Sequence, residues 1–200
     1  MKRYILDTNI FFNMQAGINL GTKTETVVKK ITQLIKKNKD KEFYMPPSAV
    51  DEFLSFFEDK NQEFLKEFLS VIIIKSPDYN KINFSANVFY KIIEEVRKRA
   101  YRGLNIAEEE VFNAGKLMLK EKKLSHQEFQ IKVGEVIKKL RERYRKATRL
   151  GFLDSPTDLD LIVLAKEIDG FLVSTDEGVI RWARDFGVKE LPAMVFVKQL

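Results

Sequence analysis

Between Asp154 and Asp176 the chain carries four candidate site carboxylates within 23 residues: Asp154, Asp158, Asp160 and Asp176. A fifth, Asp7, follows the first apolar run at the other end of the sequence. Carboxylates gathered in one place repel one another and raise each other's pKa unless a cation offsets their charge. Mg²⁺ or Mn²⁺ takes oxygen ligands and suits such a set. Composition removes the competing chemistries. The chain has no cysteine and one histidine, His126, so Cys–His nucleophiles, thiolate metal sites and paired-histidine sites are excluded. Hydrolysis, if present, is carboxylate-and-metal chemistry. Taken singly, Asp158 also reads as a helix cap and Asp176 as the opening of the next helix; the set of five favours a metal site.

The elements around these acids follow from local pattern. Ser155-Pro156-Thr157-Asp158 predicts a helix start, with Ser155 as N-cap, Pro156 at the first helical position and Asp158 closing a capping box. That helix is expected to reach about Ile168, and Asp169-Gly170 ends it. Phe171 to Thr175 reads as a buried parallel strand with Asp176 at its carboxyl end, where open α/β sheets bind ligands. Arg3 to Leu6 reads as the first strand, which puts Asp7 at the same mouth. Thr22 to about Asn38 is an amphipathic helix, and Glu42 to Met45 a second strand leading into a helix at Pro46-Pro47-Ser48. Glu52, one turn into that helix, is a further candidate ligand. Val71 to Ile74 is expected as a third, well-covered strand, and Ala193 to Val197 as a last one.

From Ser85 to Leu150 the character changes. The segment reads as three helices, carrying Phe89 to Ala100, Val111 to Met118 and Phe129 to Tyr144. It holds 17 Lys/Arg against 9 Asp/Glu, leaving 18 against 20 elsewhere. The basic charge of a chain with net charge +6 and pI near 9.3 is thus confined to this insertion. Two clusters dominate it: Arg97, Lys98, Arg99 and Arg102, then a stripe of Lys138, Arg141, Arg145 and Arg149 on one helix face. A charge run is often only a solvated face. Beside an acidic site that cannot attract phosphates itself, it favours nucleic-acid contact. There is no apolar run long enough to span a membrane and no secretory pattern after Met1-Lys2-Arg3, which with the lack of cysteine fits a cytoplasmic protein.

This order of elements, with LDTN (Leu6 to Asn9) after the first strand and STDEG (Ser174 to Gly178) after a late one, resembles the PIN-domain nuclease superfamily. FYMPPSAVDEF, the IIEEVRKRAYRGLNIAEE segment, KLRERYRKATRLGFLDSPTDLDLIVLAKEIDGFLVSTDEG and WARDFGVK narrow the match. Over nearly all 200 residues the chain resembles the HARP family of minimal, protein-only ribonuclease P, also known as RNA ligase partner PIN proteins. The resemblance implies a PIN-like three-layer α/β/α fold with a central parallel sheet, as one domain over residues 1–200 with a protruding basic helical insertion at 85–150. It implies that the essential acids are Asp7, Asp154, Asp158 and Asp176, with Asp160 in the same LDSxxDxD pattern and Glu52 at a general PIN acid position. It also implies that the insertion contacts precursor tRNA and helps build homo-oligomers from dimers. The INLGTKTET loop and Phe11-Phe12 depart from the family pattern beside the site.

The expected reaction is Mg²⁺- or Mn²⁺-assisted hydrolysis: water attack removes the 5′ leader of precursor tRNA and leaves a 5′-phosphate on the tRNA. Asp7, Asp154 and Asp176 are expected as ligands, and Asp158 as a ligand or as the holder of a metal-bound water. Other readings are a PIN endoribonuclease acting on other structured RNA, a toxin-type ribonuclease, or a non-catalytic RNA-binding partner of an RNA ligase.

Overall fold

The computed structural model describes residues 1–13, 21, 23–120, 124–149, 153 and 155–199, the side chains of 120 and 149 excepted. The chain divides into two compact units, residues 1–85 with 153–200, and residues 86–152.

The first unit is built on five strands: β1 (Lys2–Leu6), β2 (Lys41–Met45), β3 (Ile73–Ile74), β4 (Phe171–Ser174) and β5 (Lys189–Pro192). They form one parallel sheet in the order β3-β2-β1-β4-β5. Around it lie α1 (Asn9–Phe12), α2 (Thr24–Lys37), α3 (Pro47–Ser55), α4 (Glu63–Leu69), α7 (Pro156–Glu167), α8 (Glu177–Asp185) and α9 (Ala193–Gln199). β1 is central because Tyr4, Ile5 and Leu6 are apolar on both faces and all buried, which suits a strand covered on each side. Each such side chain taken fully from water stabilises by about 1.5–3 kcal/mol. Behind α1 an aromatic cluster fills the gap between helices: the rings of Phe11, Phe53 and Phe68 lie 5.0–5.2 Å apart by centroid.

The run α7–β4 forms as its caps dictate. Ser155 Oγ accepts from the Asp158 N–H at 3.1 Å, and Pro156 occupies the first turn. At the other end Asp169 takes φ 50°, and the Gly170 N–H reaches the Ala165 carbonyl at 2.9 Å. A Cβ on Gly170 would stand 2.5 Å from Ile5 Cδ1, so glycine lets the turn press against β1.

Two strand expectations need correction. β3 has only two residues, both exposed, at the sheet edge, because Val71 N–H is still bonded to Phe68 C=O in the turn that closes α4. The last strand is Lys189–Pro192, while Ala193 to Val197 lies in α9. Ala193 and Phe196, three apart, are buried and Met194 and Val195 exposed, a helical spacing that a short apolar run does not reveal.

The second unit is a helical hairpin. α5 (Ala86–Lys120) runs unbroken for 35 residues, ~50 Å at 1.5 Å per residue, and α6 (His126–Arg149) for 24. The expectation of three helices is therefore corrected to two. Gly103, inside α5, faces Tyr144: a Cβ there would meet the ring at 2.5 Å. Deeper along the pair, Arg143 donates to Glu110 and Glu109, both at 2.5 Å, and Lys139 lies 3.5 Å from Glu110, whose side chain is buried. These pairings set the two helices antiparallel. No helix among the described residues is long and apolar enough to cross a membrane.

Candidate active site

β1 and β4 lie side by side, but the chain leaves β1 toward β2 and leaves β4 toward β5, on opposite sides. The crevice beyond their carboxyl ends is the switch point of the sheet. Asp7 stands there. Its backbone N–H extends the ladder to the Val173 carbonyl at 3.0 Å, which sets its side chain beside Ser174. The carboxylate is almost completely buried and accepts four hydrogen bonds. Ser174 Oγ (2.5 Å) and Asn9 Nδ2 (3.1 Å) donate to Oδ2; Thr8 Oγ1 (3.2 Å) and the Asn9 N–H (3.4 Å) donate to Oδ1. Burial pushes its pKa up, and the bonds from Ser174, Asn9 and Thr8 offset only part of that rise.

Ser174 is also the link to the next acid. Its Oγ accepts from the Asp176 backbone N–H at 2.9 Å while donating to Asp7. One hydroxyl thus spaces the two strand-end aspartates. Asp176 caps α8: its Oδ1 accepts from the N–H groups of Gly178 (2.6 Å) and Val179 (3.2 Å). Its Oδ2 has no donor among the described residues, and the side chain is exposed. Asn13, closing α1, donates to Thr175 Oγ1 at 3.3 Å and ties the segment after Asp7 to the segment before Asp176.

Glu52, on α3, belongs to the same surroundings. Burial raises its pKa first and the negative charge of Asp7 second, with a hydrogen bond from Thr8 opposing both. Two acids that sense each other's charge are what a divalent cation would relieve.

The remaining predicted acids fall differently. Asp158 lies half-buried in the first turn of α7, its N–H bound to Ser155. Asp154 lies outside the described residues. Asp160 accepts two side-chain hydrogen bonds: Ser48 Oγ donates to its Oδ2 at 2.5 Å, and the Tyr79 hydroxyl donates to its Oδ1. That bond is the main reason the Tyr79 pKa is pushed up to about 12. No three His, Cys, Asp or Glu residues among those described form a metal-binding group. Asp7 is joined to Asp176 through Ser174, and its charge is felt by Glu52; all three are hard oxygen donors, and Asp7 is a buried carboxyl whose ionisation a cation would favour. In donor chemistry they fit Mg²⁺ or Mn²⁺.

Sequence reasoning missed the groups that orient the acids: Thr8, Asn9 and Ser174 around Asp7, and Tyr79 on Asp160. The Ser-Thr-Asp run at the end of β4 was the available signal for Ser174.

The basic residues of the hairpin separate into two kinds. On α5, Lys98 lies near Glu94 and Glu95 (3.6 and 3.8 Å) and Arg102 near Glu95 (3.9 Å), so part of the first cluster is internally offset. Arg97 is exposed and Arg99 half-exposed. On α6, Lys139 and Arg143 are committed to Glu109 and Glu110. Lys138, Arg141 and Arg145 are exposed and make no ion pair among the described residues. The Arg149 side chain lies outside the described residues.

An all-parallel sheet with acids at its switch point is the framework of a carboxylate nuclease. The chain belongs to the PINc domain ribonuclease family, with the match running over residues 3–200. Along its whole length it is similar to proteins named RNA-free ribonuclease P. That of Pyrococcus furiosus is 38% identical over 201 residues, spanning 100% of this chain and 93% of the relative. That of Thermodesulfovibrio yellowstonii is 34% identical over 188 residues, 94% of this chain and 88% of the relative. That of Haloarcula marismortui is 33% identical, covering 98% and 88%.

Proposed function

We propose that this chain is an RNA-free ribonuclease P, an endoribonuclease that removes the 5′ leader of precursor tRNA by attack of water, leaving a 5′-phosphate on the tRNA. The observation that carries the reading is the buried Asp7, joined through Ser174 to Asp176 at the β1/β4 switch point, in a chain similar end to end to RNA-free ribonucleases P.

Asp7, Asp158 and Asp176, with Asp154 and Glu52, would hold Mg²⁺ or Mn²⁺. When bound, such an ion supplies positive charge that makes water a better nucleophile and offsets charge building on the phosphate. The chain's own part is to keep these carboxylates apart and aimed. Thr8, Asn9 and Ser174 hold Asp7 in one orientation, and the N–H groups of Gly178 and Val179 hold Asp176 by one oxygen, leaving the other to face the site. Water is the fitting nucleophile because the alternative, attack by the RNA 2′-hydroxyl, calls for a base such as imidazole. The single histidine, His126, sits in the hairpin against Gln130 at 3.1 Å.

In the hairpin, Lys138, Arg141 and Arg145 would meet phosphates of the tRNA body, with Arg149, Arg97, Lys98, Arg99 and Arg102 as further contacts. The same helices expose large apolar side chains, among them Tyr90, Val111, Phe112 and Leu119 at 64–88%. Two helices with so many exposed apolar side chains are expected to be covered by another copy, which supports a homo-oligomer built from dimers. Incubating the purified protein with leader-bearing precursor tRNA and Mg²⁺, then mapping the cut and its end groups, tests the reading. A 5′-phosphate at the mature tRNA start is expected. Cleavage elsewhere in structured RNA would assign a broader PIN nuclease, and full turnover in excess EDTA would refute the metal mechanism.

A further inference from the structure

Asp158 and Asp160 are two residues apart on α7. At about 100° per residue their side chains leave the helix roughly 200° apart, so they cannot both turn to one ion. Asp160 is already engaged. Ser48, in the first turn of α3, takes one oxygen and Tyr79 takes the other. Glu167, seven residues on and so on the same face of α7, accepts from Lys75 Nζ at 2.6 Å and from the Asp78 N–H at 2.9 Å. The segment from Lys75 to Tyr79, leaving β3, is therefore fastened along one face of α7 at two points two turns apart. At the Asp160 end the fastening also takes in α3, where Glu52 lies one turn beyond Ser48 on the same face.

We propose that Asp160 is a positioning residue and not a metal ligand: it locks α7 to α3 and to the Lys75–Tyr79 segment, fixing Asp158 and Glu52 with respect to Asp7. This inference rests on the metal-dependent nuclease reading. It assigns the third aspartate of the Asp154-Asp158-Asp160 run a mechanical role that its position in the sequence conceals. The two hydroxyls then matter as much as the carboxylate they hold.

The test uses the full chain with Ser48→Ala/Tyr79→Phe, Asp160→Asn, the triple combination, and Asp7→Asn as reference. Mn²⁺ affinity is read from the free-ion paramagnetic resonance signal, and kcat and KM from leader-bearing precursor tRNA in Mg²⁺. With Asp160 intact, Ser48→Ala/Tyr79→Phe should weaken Mn²⁺ binding and lower kcat by about tenfold each, the effect of roughly one lost charge-assisted hydrogen bond. KM for RNA should hardly move, and Asp160→Asn should add little in that background, since the three residues act as one unit. Wild-type Mn²⁺ affinity in Ser48→Ala/Tyr79→Phe, with binding lost in Asp160→Asn, would make Asp160 a ligand and overturn the proposal. Lower melting temperatures with unchanged Mn²⁺ affinity and kcat would overturn it too, reducing the bonds to a stabilising tie. Should the double variant not fold, Tyr79→Phe alone removes one hydroxyl and keeps the ring, and is read the same way. Mn²⁺ binding and cleavage unchanged in Asp7→Asn would overturn the nuclease reading itself, and this inference with it. An inactive Asp7→Asn beside an unaffected hydroxyl pair overturns this inference alone.

Discussion

Ser174→Ala removes one hydroxyl from the middle of the site and leaves every carboxylate in place. Two interactions go with it: the donation to Asp7 Oδ2 and the acceptance from the Asp176 N–H. A hydrogen bond to a charged group contributes about 1.5–3 kcal/mol. Asp7 is nearly fully buried, so water cannot replace the missing donor, and its pKa, already raised by burial, rises further. The sign follows from linkage. A carboxyl whose folded pKa lies above its unfolded value contributes stability in acid that is lost as pH rises through the folded pKa. The metal-free variant's stability deficit should therefore be smallest in acid, where only the pH-independent loss at the Asp176 N–H remains, and grow toward neutral pH. At neutral pH more of Asp7 holds a proton, and a proton competes with a cation. Taking the hydrogen-bond figure as the deficit, Mn²⁺ affinity and kcat should drop by roughly 10- to 150-fold, and part of that loss should return as pH is raised. Calorimetric Mn²⁺ titration and single-turnover cleavage across a pH series provide the readings. Wild-type affinity and rate, or a deficit of the same size at every pH, would refute the reasoning.

Asp7→Asn and Asp176→Asn should each abolish most cleavage. Metal-free stability should stay level or rise for Asp7→Asn, since a buried ionisable group is neutralised, and stay level for Asp176→Asn, since asparagine still caps α8; Asp176→Ala should cost about 1 kcal/mol more in a thermal melt. Arg141→Ala/Arg145→Ala should weaken precursor-tRNA binding and flatten its log–log salt dependence by about 0.7–0.9 for each phosphate no longer neutralised, with the assembly size unchanged by light scattering. Arg143→Ala should instead loosen the hairpin, because it leaves Glu110 buried without its main partner, and circular dichroism melting should register that. For Glu167, burial alone would raise the pKa, but Lys75 and the Asp78 N–H outweigh it and the carboxyl titrates below its ordinary range. The stability it contributes is present above the ordinary glutamate range and lost as pH falls through the lowered value. Glu167→Gln should thus be less stable than wild type near neutrality and converge with it in acid, as followed by urea unfolding.

What the sequence determined by itself was whatever depends on neighbours within a turn or a strand. Ser155, Pro156 and Asp158 define the start of α7 because capping needs residues three apart. Asp7 and Asp176 at strand ends follow from apolar runs that stop at an acid, and the parallel sheet from helices between the runs. The absence of cysteine and the lone His126 limited the chemistry before any fold was known. Tertiary structure decided whatever depends on partners far along the chain. Ser48 and Asp160 are 112 residues apart, Ser174 and Asp7 167, and no local pattern links them. So by itself the sequence shows Asp160 only as one more acid of the run, and Ser174 only as one more strand residue. The hairpin's arginines show the same limit: Arg143 and Arg145 are near neighbours of the same type, yet only Arg143 is drawn to glutamates 33 and 34 residues upstream. Short apolar runs such as Val71 to Ile74 and Ala193 to Val197 are ambiguous because apolarity favours burial without fixing which element provides it or, as at Ile73 and Ile74, whether any does. Pairing and packing settle that, and both are made with distant residues.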